Sequence, residues 1–153
     1  MPADQIKVRN IAAIFLIVVC STVPAWAVLG QSRDSVRLDA QTLKGTLTTT
    51  EMPGYSVQQI HRNDGVVLKE FVSPGDKVFG ISWQGPTMPN LSQLLGPYFP
   101  AFQQANQPTH GRGPLSIHAG TLVVETGGHL RAFRVRAYVI SLLPDGISED
   151  VVQ

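Results

Sequence analysis

The sequence predicts an α+β domain, an antiparallel sheet of about five to seven strands with one kinked amphipathic helix packed on it. Three observations carry this. Residues 55–84 alternate β-favouring runs with two turn signals, Arg62-Asn63-Asp64-Gly65 and Ser73-Pro74-Gly75-Asp76. Residues 91–102 space their apolar side chains at helical intervals. Residues 115–140 return to strand-like patterning around Gly120 and Gly127-Gly128.

The chain begins with the pattern of an export leader. Lys7 and Arg9 make a short basic start, and Ile11–Val19 is an unbroken apolar run. Pro24 breaks the run, and Ala25-Trp26-Ala27 places small residues where a signal peptidase reads. Cleavage is therefore expected after Ala27, leaving residues 28–153 as a single periplasmic or secreted domain that meets the membrane only in transit. An uncleaved N-terminal anchor is the alternative, because residues 10–32 carry no charge. Ser21, Thr22 and Pro24 dilute that stretch and weigh against it. Lipid attachment at Cys20 is disfavoured, since Val19 stands where a lipoprotein cleavage site wants a small residue.

Cleavage would change the chemistry of the chain. It removes Cys20, the only cysteine, so the mature domain must cohere by packing without a disulfide. It takes two of the 12 basic residues and one of the 11 acidic ones, leaving ten of each. A balanced charge is no footprint for nucleic acid or an anionic membrane. Arg131, Arg134 and Arg136 cluster, but Phe133 and Val135 interleave them as on the solvated face of a strand. A domain of this length buries about two-thirds of its unfolded surface, enough for one core.

Residues 33–43 admit either a short helix or an irregular segment. Thr46–Thr50 is β-favouring, and Pro53-Gly54 punctuates it. Tyr55–His61 reads as a strand with Tyr55, Val57 and Gln59 on one face. Val66–Val72 follows the first turn, and Gly75 is expected to take the left-handed position of the second. In Lys77–Gln84, Phe79, Ile81 and Trp83 should line the core side. Val78, Gly80 and Ser82 make a small side that either admits another layer or faces water. Gly85-Pro86 ends the strand, and Asn90 should cap a helix whose Leu91, Leu94, Leu95, Tyr98, Phe99 and Phe102 share a face. Gly96-Pro97 and Pro100 interrupt that helix, so a kink or a restart at Pro97 is expected. After a polar loop, Leu115–Ala119 is a short strand. Thr121–Thr126 and His129–Ile140 should form a hairpin about Gly127-Gly128, pairing Thr126 with His129 and Leu122 with Phe133. Phe133, Val135, Ala137 and Val139 share one face of its second strand. Ser148 is placed to cap a terminal helical turn.

The segments Tyr55–Gln84, Trp83-Gln84-Gly85-Pro86-Thr87-Met88-Pro89-Asn90-Leu91 and Leu94-Leu95-Gly96-Pro97-Tyr98-Phe99 resemble the bacterial domain-of-unknown-function family 2844. So do Arg112-Gly113-Pro114-Leu115, Gly127-Gly128-His129-Leu130-Arg131-Ala132-Phe133 and Leu142-Leu143-Pro144-Asp145-Gly146. The resemblance spans about residues 28–153 and implies an exported bacterial protein; it implies no activity.

No complete catalytic motif is present. His110, His118 and His129 lie at spacings that set no two of them one helical turn or two strand residues apart, so no metal site is read. Gly80-Ile81-Ser82-Trp83-Gln84-Gly85 resembles a nucleophile elbow but has its second glycine one residue late and lies within a strand. A small hydrolase would have to use His118 or His129 with Glu125 or Glu70. The leading expectation is instead a non-enzymatic module, without a cofactor, that binds an envelope or secreted protein. Its contact surface is expected on the stiff loop 84–90, with Trp83, Gln84, Pro86, Thr87, Pro89 and Asn90, and second on loop 107–114 with Arg112. The prediction generated here concerns processing: intact-mass measurement of the exported product should find Val28 as its first residue. A product still carrying Met1 or Cys20 would contradict it.

Overall fold

A computed structural model of the chain describes residues 28–106 and 114–153. The leader, with Cys20 and the cleavage point after Ala27, lies outside the described residues, as do His110 and Arg112. Seven strands form one antiparallel sheet: β1 (Thr46–Met52), β2 (Tyr55–His61), β3 (Val67–Val72), β4 (Val78–Gly85), β5 (Leu115–Ala119), β6 (Leu122–His129) and β7 (Ala132–Val139). Their order across the sheet is β1-β2-β3-β4-β7-β6-β5. A four-stranded meander is thus followed by a helical crossover, and the last three strands run back to place β7 beside β4. The helices are α1 (Arg33–Thr42), α2 (Leu91–Leu95) and α3 (Phe99–Ala105). The expected α+β fold is what forms, and the polar stretch left open at 33–43 is a helix.

The β2–β3 and β3–β4 turns share one geometry. Gly65 N donates to Arg62 O at 3.2 Å and Arg62 N to Val66 O at 2.9 Å. Asp76 N donates to Ser73 O at 3.0 Å and Ser73 N to Lys77 O at 2.8 Å. In such a three-residue loop the last residue takes the left-handed conformation. Gly65 does so at φ +86°, and in the second turn it is Asp76, at φ +62°, not the expected Gly75. Aspartate tolerates that region better than most side chains.

The crossover helix starts as predicted. Asn90 Oδ1 accepts from Ser92 N at 3.0 Å and from Ser92 Oγ at 2.7 Å. It breaks at Gly96, where φ is +48°, and passes through a 3₁₀ turn at Gly96–Tyr98. It resumes as α3, with Pro100 in the first turn, where a missing N–H has no consequence. Leu94, Leu95 and Phe102 are buried.

Two further expectations are corrected. The β6–β7 hairpin turns at Leu130-Arg131, with His129 opposite Ala132, Thr126 opposite Val135 and Leu122 opposite Val139. Gly127 and Gly128 lie within β6. Turning at Gly127-Gly128 would have set Val124 opposite Arg131. The observed register pairs Val124 with Ala137 and Glu125 with Arg136, so apolar burial and an ion pair outweigh the glycine turn signal. The second correction lies in β4. Phe71 pairs with Gly80 and Val72 with Val78, so Phe79 is an extra residue, a β-bulge. Phe79 therefore leaves the face of Ile81 and Trp83, which Val78 joins instead.

The sheet is covered on both faces. One carries the main core, with Ile60, Leu68, Ile81, Trp83, Val124, Val135 and Ala137 beneath Val36, Leu94, Leu95 and Phe102 of the helices. On the other, Phe71, Phe79, Val123 and Tyr138 meet Val152, with Tyr55, Val57 and the tail residues Leu142, Leu143, Ile147 and Val151 packed around them. The small side of β4 thus receives a layer, and that layer is the C-terminal tail. Ser148 Oγ accepts from Asp150 N at 3.3 Å, the expected terminal cap, and Lys69 Nζ reaches Gln153 O at 2.9 Å. A Cβ added at Gly80 would sit 2.6 Å from Val152 Cγ2. Gly80→Ala should therefore lower stability by about 1–3 kcal/mol through overpacking. Combining it with Val152→Ala should recover part of that loss, as read by urea denaturation of the double-mutant cycle. Strictly additive losses would disprove the contact.

Candidate functional site

A cleft lies where the C-terminal end of α1, strands β3 and β4, the loop 86–90 and α2 converge. Its volume is about 210 Å³. Leu68, Trp83, Leu94 and Asp39 are buried and form its interior, while Thr87, Met88 and Asn90 are exposed at its mouth. Trp83 sits opposite Leu68 of β3 and Val135 of β7, which sets it on this side of the sheet. Trp83 Nε1 donates to Thr87 O at 3.0 Å, which ties the indole to the loop and holds both in place. Pro89 is buried, and Asn90 spends its side chain on the α2 cap, so the loop is anchored at both ends. Arg62 stands at the edge, held by Asp64 at 2.8 Å.

Two acids are buried beside this cleft. Asp39 on α1 is 1% exposed and lines it; Glu70 on β3 is fully buried. Among the described residues neither oxygen of Glu70 has a hydrogen-bond partner. Burial first, and the nearby Asp39 charge second, push the Glu70 carboxyl well above the ordinary glutamate range. They belong to a polar band between α1 and the first three strands. Gln58 pairs with Thr49 on one side and with Glu70 on the other. Thr49 Oγ1 donates to Gln58 Oε1 at 2.7 Å, and Arg33 Nη2 donates to Ser56 Oγ at 3.1 Å. Buried carboxyls are costly and concentrate where a protein recognises or transforms something.

The residues singled out from sequence separate into groups. Trp83, Thr87, Pro89 and Asn90 meet in the cleft. Gln84 and Pro86 line a different depression with Gly65 and Arg131. Arg112 lies outside the described residues. His118 is exposed on the edge strand β5, opposite Val123. His129 is exposed at the β6–β7 turn, with Nδ1 3.2 Å from Leu130 O. Glu125 is held by Arg136 at 3.0 Å, and Glu70 is buried on the helix-covered face. The histidines and acids named for hydrolysis therefore do not share one cleft. Among the described residues, no three His, Cys, Asp or Glu side chains are grouped to hold a metal ion. Sequence reasoning passed over Asp39. Its only signal is the four-residue spacing from Ser35, which has meaning once 33–42 is known to be helical.

A family model described as Protein of unknown function (DUF2844) matches residues 25–152. Comparison with the curated proteins gave no match, and neither did comparison with the solved structures. Among the described residues no helix is long and apolar enough to cross a membrane.

The raised Glu70 carboxyl has a measurable signature. Above the ordinary glutamate range the folded chain keeps a proton at Glu70 that the unfolded chain has released, so stability falls as pH rises toward the folded value. The slope from this group is at most about 1.4 kcal/mol per pH unit. Glu70→Gln removes the linkage. Thermal melts should find the variant more stable than the parent at about pH 8 and the two converging near about pH 4. A difference that does not change with pH would contradict the assignment.

Proposed function

The chain belongs to the DUF2844 family of proteins of unknown function, and from that premise we propose that it is an exported, non-enzymatic module that docks a partner protein of the cell envelope through the Trp83 cleft. The leader supports export. The observation that carries docking is the cleft itself: an aromatic wall locked by a hydrogen bond to a proline-bounded loop, with Met88 45% exposed at its mouth. Preorganised pockets with a fixed aromatic wall hold the anchor residues of interfaces. Size favours a protein over a free metabolite. At about 210 Å³ the cleft is smaller than the ~300–1,000 Å³ typical of small-molecule sites, and fits a single anchoring side chain better.

A photo-crosslinking residue at Thr87, on the rim, tests this in cells. It should yield one discrete partner adduct in the envelope fraction, lost when Met88 is changed to Asp. The same probe at Met52, which is 43% exposed and lies opposite Tyr55 at the other end of the sheet, should yield none. Equal adducts from both positions would overturn the proposal.

A further inference from the structure

We propose that the sheet face beside the C-terminal tail binds a carboxylate-bearing saccharide, with Arg134 holding the carboxylate. This site is separate from the Trp83 cleft and does not depend on the docking reading. The tail covers only part of its face of the sheet. Beyond the tail, the strand registers set two rows of side chains next to one another. Lys69, Ser82, Arg136 and Glu125 are successive cross-strand neighbours from β3 to β6. Gln84, Arg134 and Gly127 form the next row. These positions alternate with Leu68, Trp83, Val135 and Val124 of the main core, and so face away from the helices. With Asp150 and Gln153 of the tail they line a trough of about 860 Å³, within the ~300–1,000 Å³ typical of small-molecule sites. Neighbouring strands lie about 4.8 Å apart, so the first row runs for about 14 Å, long enough for an oligosaccharide. Gly127 leaves the floor open at one end, where an added Cβ would meet nothing within 4 Å.

The charges in the trough select the ligand. Arg136 is engaged within the protein: Nη1 donates to Glu125 Oε2 at 3.0 Å, Nη2 donates to Glu149 O, and the guanidinium lies 4.9 Å from the centre of the Tyr138 ring. Lys69 Nζ donates to Gln153 O at 2.9 Å, and Asp150 Oδ2 accepts from Ser148 Oγ at 3.0 Å. Among the described residues the Arg134 side chain has no hydrogen bond, ion pair or ring contact, and the Ser82 and Gln84 side chains have none either. One free guanidinium among engaged charges matches one carboxylate, which its planar fork binds through two hydrogen bonds. The Ser82 hydroxyl and the Gln84 amide each donate and accept, as sugar hydroxyls do. Other occupants fit less well. A docked protein needs an apolar centre, and Val152, the aliphatic group of the tail wall, is fully buried. An extended peptide seeks free backbone groups, and β4 and β7 are each paired on both sides. A chain of phosphates would meet Glu125 and Asp150 beside the one free cation of the trough.

The test titrates the purified protein with cellobiouronic acid, its uncharged methyl ester and sodium acetate, and follows the Arg134 Nε–H and the Gln84 side-chain amide by NMR. The disaccharide acid should move both signals and bind about tenfold more tightly than the ester, which keeps the hydroxyls without the charge. Acetate should bind more weakly than the disaccharide acid. Arg134 is exposed, so Arg134→Gln keeps the fold; it should erase the preference for the acid and leave ester binding unchanged. Gly127→Leu, which fills the open floor, should weaken acid and ester alike. Equal binding of acid and ester, a preference that survives Arg134→Gln, or no movement of either signal would overturn the inference. Acetate binding as tightly as the disaccharide would reduce the trough to a bare anion contact and overturn the saccharide assignment. The acid and ester arms use the parent protein, so a variant that fails to fold does not decide the matter. The Thr87 adduct reports the docking reading separately and is unaffected by any of these outcomes.

Discussion

The β-bulge at Phe79 is the constraint on which the rest of the molecule depends. β4 is central, paired with β3 on one side and β7 on the other. Regular alternation would have put Phe79, Ile81 and Trp83 on one face. One extra residue divides them, sending Phe79 to the core beneath the tail and leaving Ile81 and Trp83 in the core beneath the helices. A single irregularity therefore supplies large anchors to both layers. Gly80, next to the bulge, has no side chain to block Val152, so the tail can lie directly on the sheet. The domain has no disulfide to hold its ends, and this two-sided packing takes that role.

The pairing of β4 places the cleft, since it sets Trp83 opposite Leu68 and Val135 of the main core. Because Trp83 faces the helices, its indole N–H can reach the carbonyl of Thr87 and fix the loop before α2. The cleft is then bounded on its far side by α1, which is unlike the other helices. Its buried face holds Val36 and Ala40 together with Ser35 and Asp39. The packing between α1 and strands β1–β3 is consequently part polar, with Thr49, Gln58, Ser56 and Glu70 contributing. Local choices in a stable fold usually agree with one another, and buried acids at a helix–sheet junction do not. That disagreement lies beside the Trp83 cleft, which Asp39 lines.

Several elements were legible because their signal is local. β2 was read over its full span, since Tyr55–His61 is bounded by Gly54 and by an Asn-Asp-Gly turn. The Asn90 cap and the break at Gly96-Pro97 follow from side-chain chemistry within a few residues. Thr87, Pro89 and Asn90 of the stiff loop share a cleft with Trp83, because proline stiffness and an adjacent tryptophan are visible in sequence. The hairpin register was misread for a physical reason. Gly-Gly is a strong turn former, but the pairing energy of Val124 with Ala137 and Glu125 with Arg136 lies in residues eleven to thirteen apart, beyond any dipeptide signal. α1 gave no clear helical period because two of its four buried positions are polar.

By itself the sequence determined the element types after residue 54, most of their boundaries, the leader pattern and the family, because capping, turn chemistry and apolar periodicity act over a few residues. Tertiary structure alone decided which face Phe79 takes, that the tail roofs the second face of the sheet, and that Asp39 and Glu70 lie within electrostatic reach of one another and beside Trp83. Those facts join residues on different elements, Asp39 with Glu70 and Gly80 with Val152 among them, through strand order and helix docking. The free energy that selects them is burial of whole surfaces, which is a property of the assembled layers and not of any short stretch of chain.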